Sequence, residues 1–263
     1  QAIALLEDLI KNPKVSLQLK SRVKLDLGDI YLLKGEPWES TLLYSQVEKA
    51  LEENPVGYEA KLKNAKLSYY KGDFKLAQEH LDILKEATTR EIANDAMELS
   101  IRIKENLVED TLGEALKAYA KVELLLYQNK REEALNALSQ LAGGTSTTTD
   151  SSRTGAVLRI SNSAIKDDVY WLEANIQMER GEFQKSIQLL QQIIDEYPDD
   201  ILVDDAYFLQ GEIYERHLSN KDKAMEIYRN FLDKYPGSVF AAEARKRFRV
   251  LRGDFKDTPV PQS

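Results

Sequence analysis

Apolar residues recur at spacings of three and four along most of the chain, which predicts amphipathic α-helices rather than strands. The helices follow one another in pairs, and the same paired arrangement occurs in residues 25–55, 63–84, 170–198 and 207–236. The first helix of each pair has a small residue near its middle: Gly28, Ala65, Ala174 or Gly211. The second helix has a small residue one turn in: Ser40, Ala77, Ser186 or Ala224. The pattern predicts an all-α fold built from helical hairpins.

The residues around these small positions favour close packing within each hairpin. Small side chains let two helix backbones approach, and large side chains fill the space beside them. The large side chains are Tyr44, Leu81, Leu190 and Tyr228. We expect the first helices to end at Gly35, Gly72, Gly181 and the dipeptide Ser219-Asn220. We expect three of the second helices to stop at Pro55, Pro198 and Pro236.

These features together resemble the tetratricopeptide repeat, although the spacing from Gly35 to Gly72 is 37 residues rather than the usual 34 or so. The resemblance implies an α-solenoid of stacked antiparallel helix hairpins, forming a right-handed superhelix of about 13 helices. Repeats that end in Tyr-Pro, as at Tyr197-Pro198 and Tyr235-Pro236, are similar to those of bacterial cell-envelope proteins, including outer-membrane-assembly lipoproteins.

The sequence outside the four hairpins predicts the division of the chain. Residues 1–142 form a helical array in which 91–105, 112–128 and 131–141 are three further helices. Three helices do not divide into pairs, so one is an extra element, which we place at 91–105, or a repeat has decayed. Polar residues 143–165 predict a loop, with one extended segment at 156–160. Residues 166–252 form the C-terminal repeats, and 253–263 form a tail.

The two ends of the array are predicted to differ: the first is an incomplete repeat, and the second is a capping helix. Residues 2–13 match the second helix of a repeat, so we expect Gln1 to fall within a repeat whose first helix lies upstream. At the other end, residues 238–251 predict a capping helix with Ser238 as its N-cap. One stripe of this helix is apolar: Phe240, Ala244, Phe248 and Leu251. Its other faces are basic, and we expect solvent around Arg245, Lys246, Arg247 and Arg249, unless they dock an acidic partner or phospholipid.

Composition narrows the classes of function. Hydrophobic residues make up 43% of the chain, which is enough for a folded core, and the net charge of -8 disfavours nucleic acid as a partner. The absence of cysteine excludes disulfides and thiolate chemistry, and no apolar run is long enough for a transmembrane segment. Two histidines, His80 and His217, are too few for a histidine metal site.

No arrangement of residues indicates catalysis, because the chain has no phosphate-binding loop, paired-histidine motif or nucleophile elbow. The carboxylates of Asp199-Asp200 and Asp204-Asp205 could attract Ca²⁺ or a basic peptide, but their place before a helix favours capping. The tripeptide Arg252-Gly253-Asp254 follows the last helix and is interpreted as part of a tail rather than an adhesion signal. We therefore predict a protein that is not an enzyme and holds no cofactor and no metal.

The resemblance implies that the first helix of each pair lines an inner, concave face where a partner binds. The residues that fall on this face are Asp29, Leu32, Leu33, Lys66, Tyr69, Tyr70, Trp171, Asn175, Met178, Glu179, Phe208, Glu212, Glu215 and Arg216. Aromatic anchors beside adaptable polar residues are typical of binding hot spots. Trp171 and Phe208 have a second interpretation, in which they pack between repeats. The basic clamp that some family members use for a peptide carboxyl terminus is not evident.

The expected function is that of a non-catalytic scaffold that binds another protein or a peptide, within a bacterial envelope or secretion assembly. The alternative is a regulatory module that holds a peptide or glycan in the groove. The envelope resemblance implies a periplasmic or outer-membrane-associated protein, including one in a peripheral membrane complex, and a cytoplasmic location is the alternative.

Overall fold

The computed structural model describes residues 2–86, 89–109, 112–141 and 165–254. Within these ranges the regular structure consists of thirteen α-helices and one π-helical turn, which confirms the all-α solenoid of about 13 helices. The helices are α1 (Ala2–Lys11), α2 (Leu17–Lys34), α3 (Pro37–Ala50), α4 (Pro55–Tyr70), α5 (Phe74–Glu86), α6 (Arg90–Glu109), α7 (Glu114–Tyr127), α8 (Arg131–Leu141), α9 (Lys166–Glu179), α10 (Phe183–Glu196), α11 (Leu202–Glu212), α12 (Lys221–Lys234) and α13 (Ala241–Arg252).

The chain divides into two compact units, Gln1–Ile165 (unit 1) and Lys166–Ser263 (unit 2). Most of the predicted loop 143–165, the extended segment 156–160 and tail residues 255–263 lie outside the described residues, as does Gln1. No described helix is both long enough and apolar enough to cross a membrane.

Unit 1 begins with the hairpins α2–α3 and α4–α5, with α1 packed on α2 and α6 packed on α5. In the first hairpin a Cβ on Gly28 would lie within 3.0 Å of the Tyr44 ring, so only glycine fits. The hydroxyl of Ser40 donates to the carbonyl oxygen of Gly28 at 2.8 Å, which ties the two helices at the same point. The chain leaves α2 through Gly35, whose φ of 82° is easy only for glycine.

The pair α7–α8 is a further hairpin of the same design. Its turn contains Asn129 with φ 59°, in the place that Gly35 takes in the first hairpin. Ala134 follows Asn129 by five residues, as Ser40 follows Gly35, and both Ala134 and Ser40 are fully buried. The sequence analysis left this pairing open, because asparagine replaces the usual glycine and Val122 takes the place of the small residue. The extra element is therefore α6, which is longer than the predicted 91–105.

Unit 2 contains the hairpins α9–α10 and α11–α12, followed by α13, which packs on α12. The last hairpin has one residue more between its small residue and its turn than the others, since Gly211 precedes Ser219 by eight positions and Gly28 precedes Gly35 by seven. A π-helical turn at Ile213–His217 takes up this residue. Ser219 then adopts φ 51° in place of a glycine.

Two predicted boundaries are wrong. Pro55 does not stop α3, which ends at Ala50; it is instead the first residue of α4, where its missing N–H costs no hydrogen bond. The capping helix does not begin at Ser238. Residues 238–240 form a turn in which the Ser238 hydroxyl oxygen accepts the Phe240 N–H at 3.1 Å, and α13 starts at Ala241.

Candidate functional site

The inner-face residues of α2 and α4 lie together in unit 1. Asp29, Lys66 and Tyr70 line a cavity of about 200 Å³, which is also lined by Leu32 and Tyr44 and is walled on one side by Tyr127 of α7. Leu33 does not line this cavity, and its side chain is exposed. The sequence predicted several of the residues that line this cavity as inner-face residues, but it did not predict that another helix of the same chain lies beside them.

Asp29 is held by partners within unit 1. Its carboxylate accepts the Tyr44 hydroxyl at 2.6 Å and the Lys63 ammonium at 2.9 Å. Lys63 belongs to α4, so the carboxylate joins the first hairpin to the second. Burial raises the pKa of the Tyr44 phenol well above its usual range, and the hydrogen bond to Asp29 adds to the shift. Asp29 thus acts in the packing of the repeats.

Tyr69 and Tyr70 of α4 line a second cavity of about 230 Å³, to which α6 and α7 also contribute residues. Tyr69 is only 1% exposed, and burial followed by the nearby carboxylate of Glu123 raises the pKa of its phenol. Glu123 pairs with Arg102 of α6 at 3.2 Å, and its own pKa is raised by burial. Lys66 pairs with Asp95 of α6 at 3.0 Å.

Helix α7 closes this part of the inner face. Leu124 packs against the apolar cluster of the first two hairpins, beside Tyr70. At the end of the helix the Gln128 amide donates to the carbonyl oxygen of Leu32 at 3.0 Å, close to the turn between α2 and α3. Sequence reasoning missed Glu123, Leu124, Tyr127 and Gln128 as inner-face residues. The signal that could have found them is the turn at Asn129, which identifies α7 as the first helix of a hairpin.

In unit 2 the predicted residues of α9 remain on its surface. Trp171, Asn175 and Met178 are half-buried, and Glu179 is exposed. The Asn175 amide donates to the carbonyl oxygen of Trp171 at 2.8 Å within the helix. The side chains of Trp171 and Met178 rest on the core cluster of α9, α10 and α11. These residues form a continuous strip along one helix, which we call the α9 strip (Trp171, Asn175, Met178 and Glu179).

Phe208 and Glu212 of α11 contact the turn before α13 and α13 itself. Phe208 is 6% exposed and stacks on Phe240, with ring centroids 4.7 Å apart. This contact favours the second interpretation of Phe208, in which it packs between elements. Glu212 pairs with Arg216 of its own helix at 3.3 Å and with Arg247 of α13 at 3.0 Å. The prediction that Arg247 is solvated is wrong: its side chain is only 12% exposed.

The carboxylate of Glu215 is held in the same way as that of Asp29. The Glu215 carboxylate accepts the Tyr228 hydroxyl at 2.7 Å and the Arg247 guanidinium at 3.2 Å. In both units a tyrosine packs on a glycine of its own hairpin and donates a hydrogen bond to a carboxylate. The same carboxylate also pairs with a cation from a following helix. Arg247 is only partly exposed because it pairs with this carboxylate and with Glu212.

Among the acidic residues at the start of α11, Asp200 makes a hydrogen bond to the first turn. Asp200 accepts the Leu202 N–H at 2.8 Å, which supports the capping interpretation. Burial, followed by the charges of Asp168 and Asp200, raises the pKa of Asp167 to about 7. Burial and Asp204 raise the pKa of Asp205 to about 6. Within the part of the chain that the structure describes, no three histidine or carboxylate side chains converge as metal ligands.

The remaining candidates also have structural roles. Burial lowers the pKa of His80, whose Nδ1 lies 3.9 Å from the Glu48 carboxylate. His217 stacks on Phe183 with ring centroids 4.4 Å apart. In the Arg-Gly-Asp tripeptide, Gly253 ends α13 with φ 90° and Arg252 forms an ion pair with Asp254, so this tripeptide closes the helix.

Two segments of unit 2 match the family model of the tetratricopeptide repeat, residues 168–200 and 205–238. They correspond to the hairpins α9–α10 and α11–α12 and cover about a quarter of the chain. The matches support a tetratricopeptide repeat protein, in agreement with the hairpin packing. No match was found among curated proteins.

Proposed function

We propose that the chain is a non-catalytic scaffold that binds another protein or a peptide through the α9 strip of unit 2. The tetratricopeptide repeat matches support a scaffold for protein interaction, since repeats of this kind present extended surfaces to partners. The single observation that favours the α9 strip is the partial exposure of three of its side chains. Trp171, Asn175 and Met178 stay half-buried on the surface, whereas Phe208 and Glu212 are engaged by α13.

The chemistry of the strip suits a peptide or protein surface. Trp171 offers a large amphipathic ring, and Met178 offers a flexible thioether that adapts to irregular apolar shapes. Glu179 adds a negative charge at the exposed end of the helix. Such a surface favours a partner segment with an apolar side chain followed by a basic one. The alternative function, a regulatory module for a peptide or glycan, would use the same residues.

The compartment is part of the proposal. We place the chain in a bacterial envelope or secretion assembly, periplasmic or peripheral to the outer membrane, because its Tyr-Pro repeat ends resemble those of envelope proteins. The alternative is a cytoplasmic scaffold. The identity of the captured partner tests this part, because an envelope component supports the proposal and a cytoplasmic one supports the alternative.

Site-specific photo-crosslinking in cells tests the binding surface. A benzoylphenylalanine at Glu179 on the α9 strip should form an adduct with the partner, and one at Gln192, exposed on α10, should not. In a titration with the purified partner, Trp171→Ala should weaken binding about tenfold or more, with Gln192→Ala as the matched control. Adducts formed from Gln192 alone would move the interaction to the outer face and contradict the proposal. Phe208→Ala is unsuitable as a probe because it would open a cavity in the core.

A further inference from the structure

Unit 1 has a groove of about 520 Å³ on the side formed by α3 and α5, the second helices of its first two hairpins. We call it the outer groove; Ser45, Glu48 and Glu52 line it from α3 and the residues after it, and His80 and Ile83 line it from α5. Across the groove the Glu48 carboxylate lies 3.9 Å from Nδ1 of His80, which sets the two helices level with each other. The family resemblance places its partner on the first helices, so it assigns no role to this groove.

Exposed apolar side chains extend the outer groove toward the starts of the two helices. Leu42 precedes Ser45 by three positions, and Leu76 precedes His80 by four, so each lies on the same face of its helix as the groove residue that follows it. Both leucines are exposed, and so is Ile83 inside the groove. A group of exposed apolar side chains on two neighbouring helices is typical of a surface that binds a partner.

Trp38 stands one turn before Leu42, at the start of α3, and its side chain is 77% exposed. Lys71, in the turn between α4 and α5, holds the ring in this position. Its ammonium lies 4.6 Å from the ring centre and donates to the hydroxyl of Thr41 at 2.9 Å. An indole that is already held in place loses little rotamer freedom when a partner binds, so Trp38 is prepared to act as an anchor.

The opposite end of the outer groove is negatively charged. Lys61 is neutralised there by Glu48, whose carboxylate oxygen lies 2.6 Å from the ammonium. Glu52 and Glu53 are exposed and form no ion pair among the residues that the structure describes. Lys49 lies at the same end and compensates for one of these two carboxylates. A negative charge therefore remains, which is complementary to a basic side chain of a partner.

From these observations we propose that the outer groove binds an amphipathic helix of a partner protein. Its apolar residues contact Trp38, Leu42 and Leu76, and its basic residues lie at the end that meets Glu52 and Glu53. A helix fits because α3 and α5 present parallel rows of side chains at spacings of three and four, and such rows accept the side chains of a third helix. The surface lies in unit 1, so this proposal does not rest on the α9 strip.

Two synthetic peptides test the outer groove. Each has about 16 residues, which span about 24 Å as a helix, and carries three leucines along one face. Two lysines stand at the amino end of the first peptide and at the carboxyl end of the second. The chain has two tryptophans, so Trp171→Phe leaves Trp38 as the only one. At least one peptide should shift the Trp38 emission to shorter wavelength and shield the ring from acrylamide, because the ring leaves water.

Variants of the chain locate the contact. In a titration with the fluorescein-labelled peptide, Leu42→Ser should weaken binding about tenfold. Leu17→Ser is the matched control and should leave the affinity unchanged, because Leu17 is 58% exposed and Leu42 is 55% exposed, both in helices of unit 1. Replacing Glu52 and Glu53 with lysine should weaken binding as well. A peptide whose lysines are replaced by glutamate should recover the affinity of this charge-reversed chain.

Several results would overturn the proposal. One is an unchanged Trp38 emission with both peptides, and another is an equal loss of affinity in Leu42→Ser and Leu17→Ser. Equal binding of a peptide with a proline at its centre would assign the groove to an extended segment rather than a helix. A concentration-dependent dimer that Leu42→Ser abolishes, without peptide binding, would assign it to a second copy of the chain. The crosslinking at Glu179 involves unit 2 and can fail or succeed independently.

Discussion

At the scale of single residues, the hairpins depend on matched pairs of side chains. Glycine faces tyrosine in two of them, Gly28 with Tyr44 and Gly211 with Tyr228, because any Cβ would enter the ring. Where the first helix has alanine, the facing residue is leucine, as with Ala174 and Leu190, both of which are fully buried. A smaller side chain on one helix thus permits a larger one on the other, so that the volume between the helices stays filled.

Gly211→Ala should therefore destabilise unit 2. The added Cβ would lie within 3.0 Å of the Tyr228 ring, and overpacking of this kind costs about 1–3 kcal/mol. Urea unfolding measures the change, and Gly237→Ala is the matched control, because no atom lies within 4 Å of a Cβ at that position. A second change, Tyr228→Leu, should recover part of the loss by recreating the alanine–leucine pair. Equal stability of the two alanine variants would contradict the pairing.

Asp167 makes the stability of unit 2 depend on pH. Its folded pKa of about 7 lies above the unfolded value, so its contribution to stability is complete below about pH 4 and is lost as the pH rises through 7. Asp167→Asn removes this dependence. It should stabilise unit 2 at pH 8 by about 1–2 kcal/mol and have a much smaller effect at pH 4.

Thermal unfolding from pH 4 to pH 8 measures this effect, and Asp222→Asn is the control, since it changes an exposed aspartate in the first turn of α12. An unchanged pH profile in the Asp167→Asn variant would show that ionisation of this carboxylate does not cost stability.

At the scale of whole elements, α13 is joined to α11 by charge as well as by its apolar stripe. Arg247 bridges Glu212 and Glu215, and Phe240 stacks on Phe208. Arg247→Met keeps the length of the side chain but takes its cation away from two partly buried carboxylates, of which Glu212 keeps its pair with Arg216. We expect a loss of about 2–3 kcal/mol in the unfolding free energy. Arg245→Met, on the exposed face of the same helix, should change it by less than about 0.5 kcal/mol. Similar losses in both variants would contradict this role.

The apolar stripe of α13 makes a separate contribution. Phe248 is half-buried, packs against the cluster of α11, α12 and α13, and lies under Arg252 with 5.3 Å between the guanidinium carbon and the ring centre. A fully buried phenylalanine costs about 3–5 kcal/mol when truncated, so Phe248→Ala should cost about 2 kcal/mol. Differential scanning calorimetry measures the change. An unaltered melting temperature would mean that α13 is not part of the cooperative unit.

At the scale of the whole molecule, charge is unevenly distributed. The net charge is -8, yet α13 carries five arginine and lysine residues against one glutamate. Arg249 and Arg252 pair with Asp254, and Arg247 is turned inward. Little of this positive charge is therefore available to a polyanion. We expect no binding of a labelled DNA duplex at physiological salt, measured by fluorescence anisotropy. A dissociation constant below about 1 µM that rises when Arg245 and Lys246 become glutamate would contradict this expectation.

Much of the architecture was predictable from neighbouring residues. The four hairpins, the turns at Gly35, Gly72 and Gly181, and the apolar stripe of α13 all follow from spacings of a few residues. Such features depend on interactions within one hairpin, so a short segment of sequence is enough to predict them. The pairing of α7 with α8 was left open because Asn129 adopts a left-handed conformation that glycine usually supplies, and that exception is decided by context.

The sequence by itself thus determined the helices and the pairing of eight of them into four hairpins. Only the tertiary structure decided what covers the inner face: α7 in unit 1, with Gln128 bonded to a carbonyl 96 residues earlier, and Arg247 of α13 in unit 2. The physical reason is that helix periodicity reports which side of a helix is apolar, but many apolar sides are equally acceptable as partners. The choice among them comes from shape and charge that meet only when distant segments pack together.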